Sequence, residues 1–174
     1  STHNPTAVVD RETSAVWLLF NKDCYTSHAM SSPDSGATWS EPVDITADVK
    51  LSSWTFYCLG PGHGIQLRDG VLLIAGQHGA INRRDSVYSH SHVIYSDDHG
   101  DHWKLGGVLP GGSDECEAVE TSDGSLYMAV RSADSRLTKR LSSRSEDGGT
   151  TWSDLIELDQ LPDPICRGSI VRFT

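Results

Sequence analysis

This chain of 174 residues lacks any apolar run long enough to span a bilayer, which takes about 20 consecutive residues. It also lacks a signal-peptide pattern. No stretch repeats its apolar residues at the helical period, so helix should be nearly absent. The four cysteines (Cys24, Cys58, Cys116, Cys166) have no Cys-x-x-Cys spacing. That argues against a zinc site and leaves free, half-buried thiols as the ordinary reading. So many apolar strands in a chain this long also argue against a disulfide framework. Positive charge is scarce: 14 Lys and Arg stand against 24 Asp and Glu, a net charge of −10. This speaks against nucleic acid as a partner. An anionic ligand would need a local cluster of arginines to draw it in against the overall field. The sequence begins at Ser1 directly ahead of a strand pattern and stops at Thr174 inside another. It reads as a segment of a longer protein, so the missing targeting signal leaves the compartment open, secreted or lysosome-like included.

What the chain does have is one short sentence written three times. The copies are Ser32-Pro-Asp34-Ser-Gly36-Ala-Thr38-Trp39, Ser96-Asp-Asp98-His-Gly100-Asp-His102-Trp103 and Ser145-Glu-Asp147-Gly-Gly149-Thr-Thr151-Trp152. Recurrence on this scale marks a repeat architecture. The Asp side chain can accept backbone N–H groups just downstream and fold the chain back. The Gly takes positive φ without steric cost. The Trp offers an apolar face that pins the turn to a sheet. The second copy has His102 where the others have Thr38 and Thr151, which reads as a weakened copy.

Apolar, β-rich runs lie upstream of each copy, at residues 15–20, 71–75 and 125–130. The last two follow the hairpin dipeptides Asp69-Gly70 and Asp123-Gly124. Shorter strands precede those turns at 7–9, 64–67 and 118–120, and strands are expected after each copy at 39–45, 103–108 and 152–158. The unit is therefore strand, turn, strand, loop, strand, motif, strand. Units fall at about 6–46, 62–109 and 115–159, with a fourth opening at 166–174. Four-stranded antiparallel units of this length suit the blades of a β-propeller.

The repeated Ser-x-Asp-x-Gly-x-Thr-Trp is similar to the Asp-box of the exo-α-sialidases (neuraminidases). Residues 60–67, Gly-Pro-Gly-His-Gly-Ile-Gln-Leu, resemble a stretch of the same family. So do Asn4-Pro5 through Asp10-Arg11 followed by the run at 16–20. Asp114-Glu115-Cys116-Glu117, then Asp123-Gly124, then Arg131-Ser132, resemble the segment that carries the family's catalytic Glu and one of three carboxylate-binding arginines. The resemblance covers nearly the whole chain. It implies an all-β, six-bladed propeller, with about three and a half blades present and the remainder supplied by the missing chain or by another subunit. Half a ring would leave edge strands unpaired and one side of the core uncovered.

By the same resemblance the protein is a glycoside hydrolase that cleaves terminal α-linked sialic acid from glycans by a retaining route. Glu115 matches the catalytic carboxylate and Arg131 the middle arginine. A carboxylate on the sugar calls for planar, permanently charged, bidentate donors, hence Arg rather than Lys. The family's nucleophile is a Tyr, whose phenol is a poor nucleophile near neutral pH unless a carboxylate takes its proton. Tyr25, Tyr57, Tyr88, Tyr95 and Tyr127 each sit in or beside a strand, and none matches it. The acid/base Asp and the other two arginines have no counterpart; Arg167 and Arg172 do not match. Gln77 and His78 stand where the family touches the sugar's glycerol arm, and Trp54 with Phe56 could form an apolar wall.

Each of these has an ordinary alternative. Arg131 at a strand end could point into solvent, Glu115, Glu117 and Glu120 could be solvated acids, Gln77 and His78 loop polars, Trp54 and Phe56 blade packing. The Asp-box residues (Asp34, Trp39, Asp98, Trp103, Asp147, Trp152) are structural. The histidines at 90, 92, 99 and 102 do not converge simply, so no metal and no cofactor is called for, and Arg83-Arg84 reads as a solvated loop pair. The competing function is a non-catalytic Asp-box propeller that binds glycan or protein.

Overall fold

The computed structural model describes residues 1–79 and 89–173; Arg83, Arg84 and Tyr88 lie outside the described residues. It shows three antiparallel sheets in sequence, the blades of a partial β-propeller. The first holds β1 (Thr2–Val9), β2 (Val16–Lys22), β3 (Thr26–Ser32) and β4 (Val43–Asp44). A single helical turn, α1 (Thr46–Val49), follows. After β5 (Phe56–Leu59) comes β6 (Gly62–His63), which joins the first sheet beside β1; the second sheet holds β5, β7 (Ile65–Gln66), β8 (Leu72–Gly79), β9 (His90–Ser96) and β10 (Lys104–Val108). The third is β11 (Ser113–Glu120), β12 (Leu126–Ser132), β13 (Lys139–Ser145) and β14 (Ile156–Pro162).

The outer strands differ from their sequence expectation. The first is only two residues long instead of 39–45, because the chain turns into α1 to bury Val49. The last begins at 156 instead of 152. Residues 166–173 carry no strand. They nonetheless run beside β11, since Ile170 N–H donates to Glu117 Oε2 at 2.9 Å.

The second blade begins earlier than residue 62. Both β5 and β7 pair with β8, so together they form one innermost strand interrupted at residues 60–64. The interruption leaves the blade: Gly62 and His63 pair in parallel with Thr6 and Ala7 of β1. Gly60 and Gly62 take φ of +63° and +135°. A Cβ at Gly60 would strike the Thr6 hydroxyl, and one at Gly62 the Arg167 guanidinium. Only glycine permits this crossing.

Two apolar layers join the blades. Leu19, Ile74, Ile94, Leu72 and Trp103 pack blade 1 against blade 2. Leu73, Ala75, Val93, Leu126, Met128 and Val130 pack blade 2 against blade 3. Strict alternation on β8 serves both: Leu72 and Ile74 face one layer, Leu73 and Ala75 the other. Full burial of each such side chain is worth about 1.5–3 kcal/mol.

Arginines staple the same joints at the turn end. Arg11 Nη2 donates to the carbonyls of Gln66 and Leu67 at 3.2 and 3.0 Å. Arg68 repeats the contact one blade on, reaching Thr121 and Ser122 at 2.9 and 3.2 Å.

Candidate active site

In blades 1 and 3 the connection between the second and third strands lies at the end opposite the Asp-boxes. Arg131, next to last in β12, and Glu115, near the start of β11, meet there. Arg131 Nη1 donates to Glu115 Oε2 at 2.9 Å, and Asp114 lies 3.9 Å away. All three side chains are about a fifth to a quarter exposed. Both residues point to the face of blade 3 turned away from blade 2, because their neighbours Cys116 and Val130 fill the core on the other side. A register shift between Ser113 and Cys116 re-aims Asp114 and Glu115, a common use of bulges at functional sites. Burial works against the Arg131 cation, but the Glu115 bond and the Asp114, Glu115 and Asp163 charges outweigh it and its pKa is raised. The guanidinium is only partly used: its buried Nε has no hydrogen-bond partner.

Glu117 lies on the same face, one pleat deeper, and is 1% exposed. It accepts from His63 N–H at 3.2 Å and Ile170 N–H at 2.9 Å. Its carboxylate also meets His63 Nδ1 at 2.7 Å and Arg167 Nη2 at 2.5 Å. It is sealed from any ligand. Glu120, at the far end of the strand, accepts from Arg68 N–H at 3.2 Å. Of the three glutamates, Glu115 alone stands at the open end.

Gln77 and His78 are adjacent on β8 and therefore face opposite ways. Gln77 shares the face of Leu73 and Ala75, toward blade 3, and its Oε1 is buried without a partner. Its cross-strand partner Ser91 donates to the Asp114 carbonyl at 2.5 Å, which ties this strand to the Glu115 segment. His78 instead lies under Trp54, their rings parallel with centroids 3.5 Å apart. Tyr57, His90 and His92 extend this aromatic stack. Burial, then the neighbouring His90, pushes the His78 pKa down to about 3, and burial likewise depresses His92. The two are neutral rings sharing one hydrogen bond, Nδ1 to Nδ1 at 3.0 Å. Tyr57 is fully buried, and burial raises its pKa well above the ordinary value. Arg131 and Glu115 thus come together, Gln77 faces blade 3 on the opposite side, that of Cys116 and Val130, and His78 and Trp54 form a separate slab with Tyr57. His63 and Arg167 were not legible as partners of Glu117; the paired glycines around Pro61 were the one signal that the chain passes close to something there.

The three Asp-boxes share one wiring. Ser32, Ser96 and Ser145 each donate to the box Asp at 2.8–2.9 Å and accept the N–H of Gly36, Gly100 or Gly149 at 2.7–2.8 Å. Asp34, Asp98 and Asp147 accept the backbone N–H four residues on. Thr38 and Thr151 hydroxyls bond the second carboxylate oxygen at 2.6 Å, and His102 Nδ1 makes the same contact at 2.7 Å. The His copy is a replacement, not a weakening. Trp103 is buried against blade 1 beside Trp17, and Trp152 packs on the core between blades 2 and 3. Trp39 is 38% exposed.

A family model for a BNR repeat-like domain matches residues 1–172. The chain belongs to that family. This BNR-repeat chain is 33% identical over 179 residues to Sialidase-4 of Mus musculus, covering 96% of itself and 37% of that protein. It is 29% identical to a sialidase of Bacteroides fragilis, over 97% of itself and 34% of the relative. Among solved structures, a Hadza microbial sialidase superposes with a TM-score of 0.80 at 29% identity, over 96% of this chain and 36% of that one. Trypanosoma rangeli sialidase in complex with the inhibitor DANA shares the fold, with a TM-score of 0.68 at 20% identity over 90% of this chain and 28% of that one. The BNR-repeat chain thus spans about a third to a half of the length of the curated relatives it matches.

Proposed function

We propose that the intact protein is an exo-α-sialidase acting on terminal α-linked sialic acid of glycans. The observation that carries this reading is the Arg131–Glu115 contact of 2.9 Å at the open end of the innermost strand of blade 3. An exposed structural ion pair would need no such placement. Here a partly buried guanidinium keeps an unused donor beside a carboxylate, the arrangement an anionic sugar and a proton transfer both require.

Arg131 grips the sugar carboxylate. Glu115 takes the phenolic proton of a tyrosine nucleophile as it attacks the anomeric carbon. The glycosidic bond breaks, and a general acid from outside this segment protonates the departing aglycone oxygen. Water then displaces the tyrosine from the glycosyl intermediate with net retention, the phenol regaining its proton from Glu115. A neutral nucleophile avoids the repulsion that an anionic one would meet from the substrate's own carboxylate. Further blades, from the same chain or another subunit, complete the ring; the exposed apolar residues Trp39 and Val43 in blade 1 and Ile156, Leu161 and Val171 toward the other end support this.

The test is release of a fluorescent aglycone from a 2-α-sialoside by the intact protein, with Arg131→Ala alongside. Turnover in the wild type and a loss of about 100-fold or more in kcat/KM in the variant are expected. Glycan binding with no turnover by the wild type would favour a non-catalytic propeller instead.

A further inference from the structure

The face of β11 that presents Glu115 carries a second carboxylate two residues on, roughly 7 Å away along the strand. Glu117 is buried and takes bonds from two separate stretches of chain, the Gly62–His63 crossing and the segment at 167–170. Its cross-strand neighbour is the small Ala129, and the Arg167 guanidinium lies between its carboxylate and Gly62. Regular pairing of β11 with β12 resumes at Cys116, just past the register shift that re-aims Glu115. Glu117 is thus the first side chain on the Glu115 face whose position the ladder and an ion pair both hold.

We propose that Glu117, balanced by Arg167 and bonded to His63, is a positioning residue that keeps the Glu115 carboxylate on Arg131. This rests on the sialidase reading above. The reasoning is electrostatic. Paired, Glu117 and Arg167 are neutral from the distance of Glu115. Without Glu117, a largely buried guanidinium one pleat away competes with Arg131 for Glu115. Without Arg167, a buried anion repels it. The other charged or titratable groups around this pair are His63, Asp114, Arg131 and Cys116, with Arg140 and Asp163 flanking the 166–168 segment.

The experiment is the pH dependence of kcat/KM on a fluorogenic 2-α-sialoside, using the intact protein as wild type, Glu117→Gln, Arg167→Gln and the double variant. Glu117→Gln leaves a net positive charge near Glu115 and should move the acid limb down by about one pH unit, with kcat reduced about tenfold and KM changed less than about threefold. Arg167→Gln leaves a net negative charge and should move the same limb up by about as much. The double variant should return to within about 0.3 unit of wild type. Limbs that stay put, or move in the same direction, overturn the proposal, because a packing role cannot reverse sign with charge. If Glu117→Gln does not fold, Arg167→Gln decides alone: an upward shift supports the proposal and no shift overturns it. A wild type without turnover fells the sialidase reading, and this role with it. Turnover with unmoved limbs fells only this role.

Discussion

The two ends of the propeller segment are built on opposite principles. At the turn end, every Asp-box carboxylate is satisfied by donors no more than four residues away. Toward the open end, Glu115 at the rim and the sealed Glu117 one pleat deeper find their partners 16 to 54 residues away. Local wiring closes the turn of each box without a donor from another blade. The site exists only when three stretches of chain meet. A motif can therefore persist in a protein whose chemistry has been lost, and the presence of Asp-boxes says less about function than one distant contact at the other end.

Substitutions at the two ends should separate accordingly. The largest effect belongs to Glu115→Gln, which should cut kcat of the intact protein about 1,000-fold with little change in substrate affinity or melting temperature. Turnover near that of the wild type would remove Glu115 from the chemistry and erase the contrast. Arg131→Lys should come next, raising KM more than it lowers kcat, because an ammonium cannot reproduce the planar fork; equal affinity for a sialic acid analogue would refute the grip on the carboxylate.

The turn end should answer in stability instead. Ser145→Ala leaves the buried N–H of Gly149 unpaired and is expected to destabilise by about 1–3 kcal/mol in urea unfolding, with kcat unchanged in the folded protein. A matching loss of activity would mean that the ends are coupled. Smallest is the pH response of the second box. The bond to Asp98 raises the His102 pKa. A raised pKa in the folded state contributes stability below the unfolded value near 6.5, and that contribution is lost as pH rises through the folded value. His102→Thr should flatten this, with a shift in melting temperature of less than about 2 °C on this exposed pair. A variant as sensitive to pH 6–9 as the wild type would show that the bond carries no stability.

Asp147 offers an opposing acid-side check on the same end. Its Thr151 side-chain and backbone bonds hold its pKa at about 2. The stability it lends is present above an unfolded value near 3.9 and is lost as pH falls through the folded one. Circular dichroism should place that loss between about pH 4 and pH 2, and an Asp147→Asn variant should show a weaker dependence, the other depressed carboxylates such as Asp98 and Asp134 keeping their share.

The legible parts of the molecule were those with short range. Box turns, the Asp-Gly hairpins and the apolar, β-rich run at 71–75 depend on neighbours along the chain, and the blades they imply are present. The outer strand of blade 1 was misjudged because burying Val49 won over continued pairing. The strand expected at 64–67 is only the second half of an innermost strand that begins at Phe56, and Gly62–His63 leave the blade between the halves to pair with β1. His78 stood beside Gln77 in the sequence but on the other face of the sheet, in a stack with Trp54 that no spacing announces.

Sequence alone established the repeating strand order and the self-contained turns, since hydrogen bonds that close within a few residues need no help from the rest of the chain. Which acids share a face, which arginine neutralises a sealed carboxylate and which glutamate is left at an open rim were settled by packing. Those outcomes depend on blades approaching within hydrogen-bond distance, and desolvation then decides which charges must be paired.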